Sequence, residues 1–259
     1  VATGKPPDEH GVIDFLVADP ATGRRSPTTS KARKVRALWD IFSERGLSSL
    51  VVAWWASWPA DPLNGWMVSD RVAYSLFDVA GESRGLTWPE SLWASLREEV
   101  VAASRVGFRE LAPFLDLTEA EHDAARLRAQ ATPGEEYREP VSHLARILAS
   151  TQTYHKMALR LLSERQPDLS ALYYQAIDEV SHRFMHFAAP KLAWVKRDDA
   201  RKYARAVEAI YQYQDALLGE VLAAAAKDST VIVLSDHGFQ NGPSRPTDRC
   251  RPSCPTSAT

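Results

Sequence analysis

Apolar residues in the first third of the chain form short runs separated by turn-forming residues. Val12–Val17, Leu50–Trp55 and Trp66–Ser69 are such runs, and runs of this length are typical of strands that are buried on both faces. Between the first two runs, Lys31–Arg45 places its apolar side chains on one face of a predicted helix. A strand, a helix and a strand at this spacing predict a parallel sheet with crossover helices.

The middle of the chain has a helical pattern only. Residues 86–165 contain two sequences typical of a capping box, in which a threonine is followed three positions later by a glutamate. These are Thr87 with Glu90 and Thr118 with Glu121. We predict a helical insertion or cap that lies over or beside the sheet. A plain helical bundle packed at the side of the sheet is the alternative.

The strand and helix pattern returns in the last third of the chain. Ala171–Asp178 reads as a strand, Asp199–Lys227 as one long helix, and Thr230–Leu234 as the last strand. Pro243–Thr259 contains no Val, Ile, Leu or Phe, and we expect it to be disordered because it cannot bury an apolar face.

These patterns predict an α/β fold with a mainly parallel sheet flanked by helices and with an inserted helical region. We divide the chain into the first part of the α/β domain, a helical insertion or cap, the second part of the α/β domain, and a disordered tail. The corresponding residues are 1–85, 86–165, 166–242 and 243–259.

The amino-acid composition and net charge indicate which classes of partner the chain is not expected to recognise by charge. The chain has 259 residues, of which 45% are hydrophobic, and a formal net charge of −2. Such a balanced charge gives no reason to expect a nucleic acid polymer or an anionic membrane surface as a partner. No run approaches the roughly 20 apolar residues that a membrane-spanning helix needs. The two cysteines, Cys250 and Cys254, both lie in the tail, which excludes a disulfide framework for the body of the chain.

Two of the predicted strands are followed by residues that bind metals. Asp178 and His182 follow the first, and the adjacent Asp236 and His237 follow the second, just before Gly238. The carboxyl ends of parallel strands meet at one edge of a sheet, so we expect all four side chains to face one crevice. Carboxylate oxygen and imidazole nitrogen together suit Zn²⁺ or a similar ion.

Each of these residues taken alone has a plainer interpretation. An aspartate after a strand is most often a helix cap, and a lone histidine near it is usually structural. Two such pairs in one sheet favour the metal site. By the same reasoning His122, His143 and His155 are expected to be structural, His186 to pack beside the site, and Asp70 to hold a turn.

Three segments resemble one known group of enzymes. Val233–Phe239 (Val-Leu-Ser-Asp-His-Gly-Phe) is similar to the metal-binding signature of the alkaline phosphatase superfamily. The branch it most resembles is the type I phosphodiesterase/nucleotide pyrophosphatase group. Tyr174–His182 resembles the Asp-x-x-x-His motif of that group, and Ala2–Val12 resembles its Thr-Gly loop. The three segments stand in the order that the family has.

The resemblance implies a hydrolase that acts on small-molecule phosphoesters with two divalent metal ions, usually zinc. Such ions lie about 4 Å apart and clamp the attacking and leaving oxygens of an in-line displacement. By the resemblance, Asp178 and His182 hold one ion together with a later histidine. Asp236 and His237 hold the other, together with an early aspartate and a Thr or Ser nucleophile that forms a covalent intermediate.

The chain also departs from the family pattern. The position of the family's nucleophile falls before Val1, and no histidine follows His237. Thr3 is the turn threonine of the opening loop, so we assign no catalytic residue. With two ligands left for each metal, we expect this polypeptide to be inactive or much weakened. Phe15 stands where nucleotide pyrophosphatases carry an asparagine, which weakens the expectation of a nucleotide substrate.

Three alternatives remain. A cofactor-independent phosphoglycerate mutase has similar metal motifs. A sulfatase needs Cys-x-Pro-x-Arg, and Cys250–Cys254 lacks the final arginine. The third alternative is an α/β binding domain without metal or activity.

Overall fold

The computed structural model describes residues 1–73, 83–131 and 134–241, apart from the side chain of Glu136. The tail predicted to be disordered, with both cysteines, therefore lies outside the described residues. The strands are β1 (Leu16–Ala18), β2 (Arg25–Pro27), β3 (Ser49–Val52), β4 (Gly65–Val68), β5 (Thr87–Trp88) and β6 (Leu169–Leu172). The α-helices are α1 (Pro7–His10), α2 (Leu38–Glu44), α3 (Leu92–Leu96), α4 (Phe108–Leu111), α5 (Glu119–Ala131), α6 (Pro140–Glu164), α7 (Ala176–Phe184), α8 (Arg197–Tyr203) and α9 (Ala206–Ala224).

The main sheet has four strands in the order β5-β4-β3-β6. The central strand β3 runs parallel to both β4 and β6, and β5 is antiparallel to β4. Val52 at the end of β3 lies opposite Val68 and Leu172, so the three parallel strands end at the same edge. The predicted α/β class with a mainly parallel sheet is confirmed.

Alternate residues of β3 face different helices. Leu50 and Val52 pack against Met157 and Leu161 of α6. Val51 faces the other side, where it packs with Trp39 of α2. Both faces of β3 are therefore covered, which explains why Leu50–Trp55 is apolar at successive positions, as expected for a buried strand.

Helix α6 connects the sheet to a second core. Its C-terminal half packs on the sheet, while Val141, Leu144 and Leu148 in its N-terminal half pack with residues of α7 and α9. The helical region thus shares the core of the sheet through one long helix. The division of the chain at residues 86 and 165 stays a prediction.

One of the two predicted capping boxes is confirmed. The Thr118 amide donates to Glu121 Oε2 at 2.9 Å, and the Glu121 amide donates to Thr118 Oγ1 at 3.2 Å, just before α5. The other box is wrong. Thr87 lies in β5 opposite Val68, and its hydroxyl donates to the carbonyl of Pro89, because pairing with β4 replaces the start of a helix.

The first predicted strand is wrong in its position and in its burial. Val12–Val17 does not enter the main sheet, and β1 forms only an antiparallel hairpin with β2. Val17 is exposed. The Asp19 carboxylate accepts a hydrogen bond from the Ala21 amide, so a local turn brings the two short strands together without burying their faces.

Both long predicted helices are shorter than expected. Only α2 is helical within Lys31–Arg45, besides a short 3₁₀ turn at Ser30–Ala32, since the Asp40 carboxylate accepts from the Ala37 amide and so begins the helix there. Asp199–Lys227 is divided between two helices, α8, which already begins at Arg197, and α9. The carbonyl of Lys202, which a continuous helix would use, accepts instead from the amide of Asp116.

The predicted last strand, Thr230–Leu234, is not a strand in the structure. Its four apolar side chains are exposed, with 52% of Val231, 73% of Ile232, 73% of Val233 and 63% of Leu234 accessible. The pattern is typical of a strand, but a strand also needs a neighbour, and within the described residues this segment pairs with none.

This exposure predicts the effect of a matched pair of substitutions. Val233→Thr should change the free energy of unfolding by no more than about 0.5 kcal/mol, as is usual for surface positions. Val51→Thr, at a fully buried position of β3, should cost about 1–3 kcal/mol because it buries a hydroxyl. Urea unfolding of both variants measures the difference. Equal losses would show that Val233 is buried.

A buried carboxylate holds the loop that follows β3. Asp70, which is 3% exposed, accepts hydrogen bonds from the amides of Ala56 and Trp58, each at 2.9 Å. Ala53 and Ala56 in this loop have φ values of 59° and 55°, a left-handed conformation that is unfavourable for alanine. The bonds to Asp70 offset that cost. Asp70 is therefore structural, as the sequence predicted.

Asp70→Ala should lower the free energy of unfolding by about 2 kcal/mol, because it leaves two backbone donors without an acceptor. The exposed Asp228 provides the control, since Asp228→Ala removes the same charge without a buried bond. Chemical unfolding of both variants tests this expectation. If the free energy of unfolding falls no more in Asp70→Ala than in Asp228→Ala, the loop keeps its conformation without the bonds to Asp70.

Among the described helices, none combines the length and the apolar character that crossing a membrane requires.

Candidate functional site

The first metal-type pair lies on a helix. Asp178 is in the first turn of α7, after the connection Tyr173–Gln175 that leaves β6, and not directly after the strand as predicted. His182 follows one turn later on the same face. Its Nε2 lies 3.6 Å from Asp178 Oδ1.

The second pair comes from the exposed segment after α9. His237 Nε2 lies 3.5 Å from Asp178 Oδ1, so one carboxylate oxygen is shared by the imidazoles of His182 and His237. Asp236 is farther out, because its side chain is 87% exposed and its Oδ2 lies 4.0 Å from His237 Nε2. The structure therefore brings three of the four predicted side chains together and leaves Asp236 at the rim.

A phenylalanine contacts both histidines. The ring of Phe239 lies 4.8 Å from that of His182 and 5.1 Å from that of His237, centroid to centroid, with steep angles between the ring planes. Edge-to-face contacts of this kind orient aromatic rings. The sequence motif ends at Phe239, and sequence reasoning gave this residue no role, although its place beside His237 was a usable signal.

The hydrogen bond at the other nitrogen of His237 indicates its tautomer. Nδ1 lies 3.1 Å from the carbonyl oxygen of Gly238, which can only accept, so Nδ1 carries the hydrogen. In the neutral imidazole the lone pair is then on Nε2, which faces Asp178 Oδ1. Two electron pairs that face each other at this distance repel, and a proton or a metal cation between them removes the repulsion.

A small pocket lies near the start of α7, the helix that carries Asp178. It lies beyond the carboxyl ends of β3 and β6, and its wall includes Ala53, Thr151, Tyr173, Gln175 and Glu179. Burial, followed by the charges of Asp178, Asp236 and Glu179, raises the pKa of Tyr173 to about 12. The phenol of Tyr173 thus lies near the carboxylates of the site and stays protonated at neutral pH. Sequence reasoning missed this residue, although it directly follows β6.

The other histidines lie elsewhere. His122 is buried and its Nδ1 lies 3.1 Å from Asp123 Oδ1. His143 is on α6, where burial, followed by the charges of Arg183 and Arg146, lowers its pKa to about 4. His186 stacks on the ring of Trp194 at 5.3 Å, and burial lowers its pKa. His155 is buried in α6 and bonds to Tyr174.

The donor types of the site fit a divalent ion. Ligand atoms that share one tetrahedral zinc ion at about 2.0–2.1 Å lie about 3.3–3.4 Å from each other, close to the 3.5 and 3.6 Å distances from Asp178 Oδ1. The set is open, however. Across the part of the chain that the structure describes, no three or more His, Cys, Asp or Glu side chains are grouped so as to hold an ion. Closure around an ion needs small movements of these exposed side chains.

Among the comparisons with known proteins, the one with family models gives a match. No curated protein and no solved structure matches the chain. The family of type I phosphodiesterases and nucleotide pyrophosphatases matches residues 1–251, which is nearly the whole sequence. The match includes both pairs of metal-type residues and the helical region between them. The chain therefore belongs to the type I phosphodiesterase/nucleotide pyrophosphatase family.

Proposed function

We propose that this protein is a metal-dependent phosphoric ester hydrolase whose divalent ions, zinc in the first place, bind at Asp178, His182, Asp236 and His237. In this proposal Asp178 and His182 hold one ion, and Asp236 and His237 hold the other. Family membership supports the class of reaction. The metal site rests on the residues themselves.

One observation carries the proposal. Asp178 Oδ1 faces His237 Nε2, the ring nitrogen that the bond to Gly238 leaves with a lone pair. A carboxylate proposed for one ion thus lies beside an imidazole proposed for the other, which supports a pair of neighbouring ions. When bound, the ions would stabilise negative charge on the phosphoryl oxygens.

The chain's own residues would place the ester. Tyr173 forms part of the wall of the pocket, and its phenol carries its proton. Ser150 and Thr151 of α6 form another part of the wall. We propose that the helical region shapes the ester pocket in this way and supplies no metal ligand.

The test is hydrolysis of bis(4-nitrophenyl) phosphate in a series of divalent ions. We expect slow hydrolysis above the solvent background that requires the ion and stops with a chelator. Asp178→Asn should lower the rate at least about tenfold, because it removes a charged ligand, whereas Asp228→Asn should not change it. Hydrolysis that continues in the presence of the chelator, or that is unchanged by Asp178→Asn, would contradict the proposal.

A further inference from the structure

A buried histidine outside the candidate site links three elements. His155 lies in the middle of α6 with 5% of its surface exposed. Its Nδ1 is 2.7 Å from the hydroxyl of Tyr174, and its Nε2 is 3.2 Å from Glu220 Oε2 on α9. Tyr174 belongs to the connection between β6 and α7. Both ring nitrogens are thus bonded, and one ring joins α6, α9 and this connection.

The direction of the two bonds follows from their partners. An ionised carboxylate only accepts, so His155 Nε2 carries the hydrogen that is donated to Glu220. Nδ1 of the neutral ring then accepts from the hydroxyl of Tyr174. Burial, followed by the charges of Tyr213 and Glu220, raises the pKa of Tyr174. The hydroxyl therefore keeps the proton that this bond needs.

The connection held by this bond sets the start of α7. At one end, the amide of Tyr173 donates to the carbonyl of Val52 at the end of β3, at 3.0 Å. In the middle, the side chain of Tyr174 is held by His155. At the other end, α7 begins at the buried Ala176 and carries Asp178 in its first turn. A shift of Tyr174 would therefore move the carboxylate that lies between His182 and His237.

We propose that His155 is a positioning residue for the candidate site. Through the hydroxyl of Tyr174 it fixes the first turn of α7 and keeps the Asp178 carboxylate facing the imidazole of His237. The inference rests on the proposed function, since it names the residue that holds Asp178, a proposed metal ligand, in place. His155 itself binds neither metal nor ester.

The test uses zinc affinity and a matched pair of variants. In His155→Asn the side-chain oxygen takes the place of Nδ1 and still accepts from Tyr174. In His155→Gln the side-chain nitrogen takes the place of Nε2 and keeps only the bond to Glu220. Asn is one methylene smaller than Gln, so at this buried position a purely structural role would harm His155→Asn more than His155→Gln, the opposite of the order expected for a bond to Tyr174. Tyr174→Phe removes the hydroxyl alone.

We expect His155→Gln and Tyr174→Phe to lower the Zn²⁺ affinity about tenfold or more, as loss of a residue that orients a ligand does. His155→Asn and Glu220→Gln should stay within about threefold of the wild type, because both keep the bond to Tyr174. Competition with a chromophoric chelator measures the affinities, and thermal unfolding compares the stabilities. Equal affinities of the Asn and Gln variants, or an unchanged affinity of Tyr174→Phe, would overturn this inference alone. A wild type that does not bind zinc would overturn the proposed function and this inference with it.

Discussion

Asp178→Ala should lower the affinity of the protein for Zn²⁺ by about 100-fold or more. Loss of a residue that merely orients a metal ligand costs about 10–100-fold, and Asp178 is proposed as a ligand itself. Its Oδ1 also lies close to the imidazoles of both His182 and His237, so its removal leaves the two imidazoles without a shared carboxylate. Calorimetric titration with Zn²⁺ measures the change.

The control for this prediction is Asp228→Ala, which removes the same charge from an exposed position after α9. Asp236→Ala gives a second comparison, because Asp236 is 87% exposed and farther from the imidazoles. We expect its effect to be smaller than that of Asp178→Ala. An affinity that is unchanged in Asp178→Ala, or lowered equally in Asp228→Ala, would contradict the assignment of Asp178.

Protein stability should fall by up to about 3 kcal/mol as the pH is lowered from 6.5 to about 4, because of His143 alone. Burial, followed by the positive charges of Arg183 and Arg146, lowers the pKa of His143 from its ordinary value of 6.5 to about 4. Between these pH values the unfolded chain binds a proton that the folded chain does not, so acid favours unfolding. Each unit of pKa difference contributes about 1.4 kcal/mol.

The stabilisation that His143 provides is thus complete above pH 6.5 and is lost as the pH falls toward 4. Urea unfolding at pH 7 and at pH 4.5 measures it. His143→Leu should reduce the loss of stability between these two pH values, while other groups that titrate in the range affect both proteins equally. The same pH dependence in the wild type and in His143→Leu would show that His143 is not the cause.

The sequence predicted those features that depend on neighbours along the chain or on burial of both faces. The apolar runs at β3 and β4 form strands that pack between covering layers. Burial on both faces requires apolar residues at successive positions, so the sequence pattern is sufficient to predict these strands. The box of Thr118 and Glu121 needs only residues within one turn, so its pattern is sufficient.

The predictions that were wrong depend on which distant segment of the chain lies beside the residues in question. Thr230–Leu234 has as strong a strand pattern as β3, but the pattern does not say which strand would lie beside it, and its side chains are exposed. Thr87 has the residues of a capping box, yet β4 pairs with it and keeps it extended.

Part of the site was equally difficult to foresee. The pairs Asp178 with His182 and Asp236 with His237 could be found from their spacing alone. Their meeting at Asp178 depends on α7 and on the segment after α9, which sequence reasoning described as two strands. The bond of His155 to Tyr174 joins residues 19 positions apart, and that to Glu220 joins residues 65 positions apart. No local pattern indicates such bonds.

Divalent ions are proposed to bind at Asp178 with His182 and at Asp236 with His237. The most direct test follows the imidazole nitrogens of all seven histidines by long-range ¹H–¹⁵N NMR while Zn²⁺ is added. We expect the Nε2 resonances of His182 and His237 to change together, with Nδ1 of His237 keeping its proton. The resonances of the other five, His10, His122, His143, His155 and His186, should change little. Changes that begin at those five histidines, or none at His182 and His237, would contradict the proposed metal site.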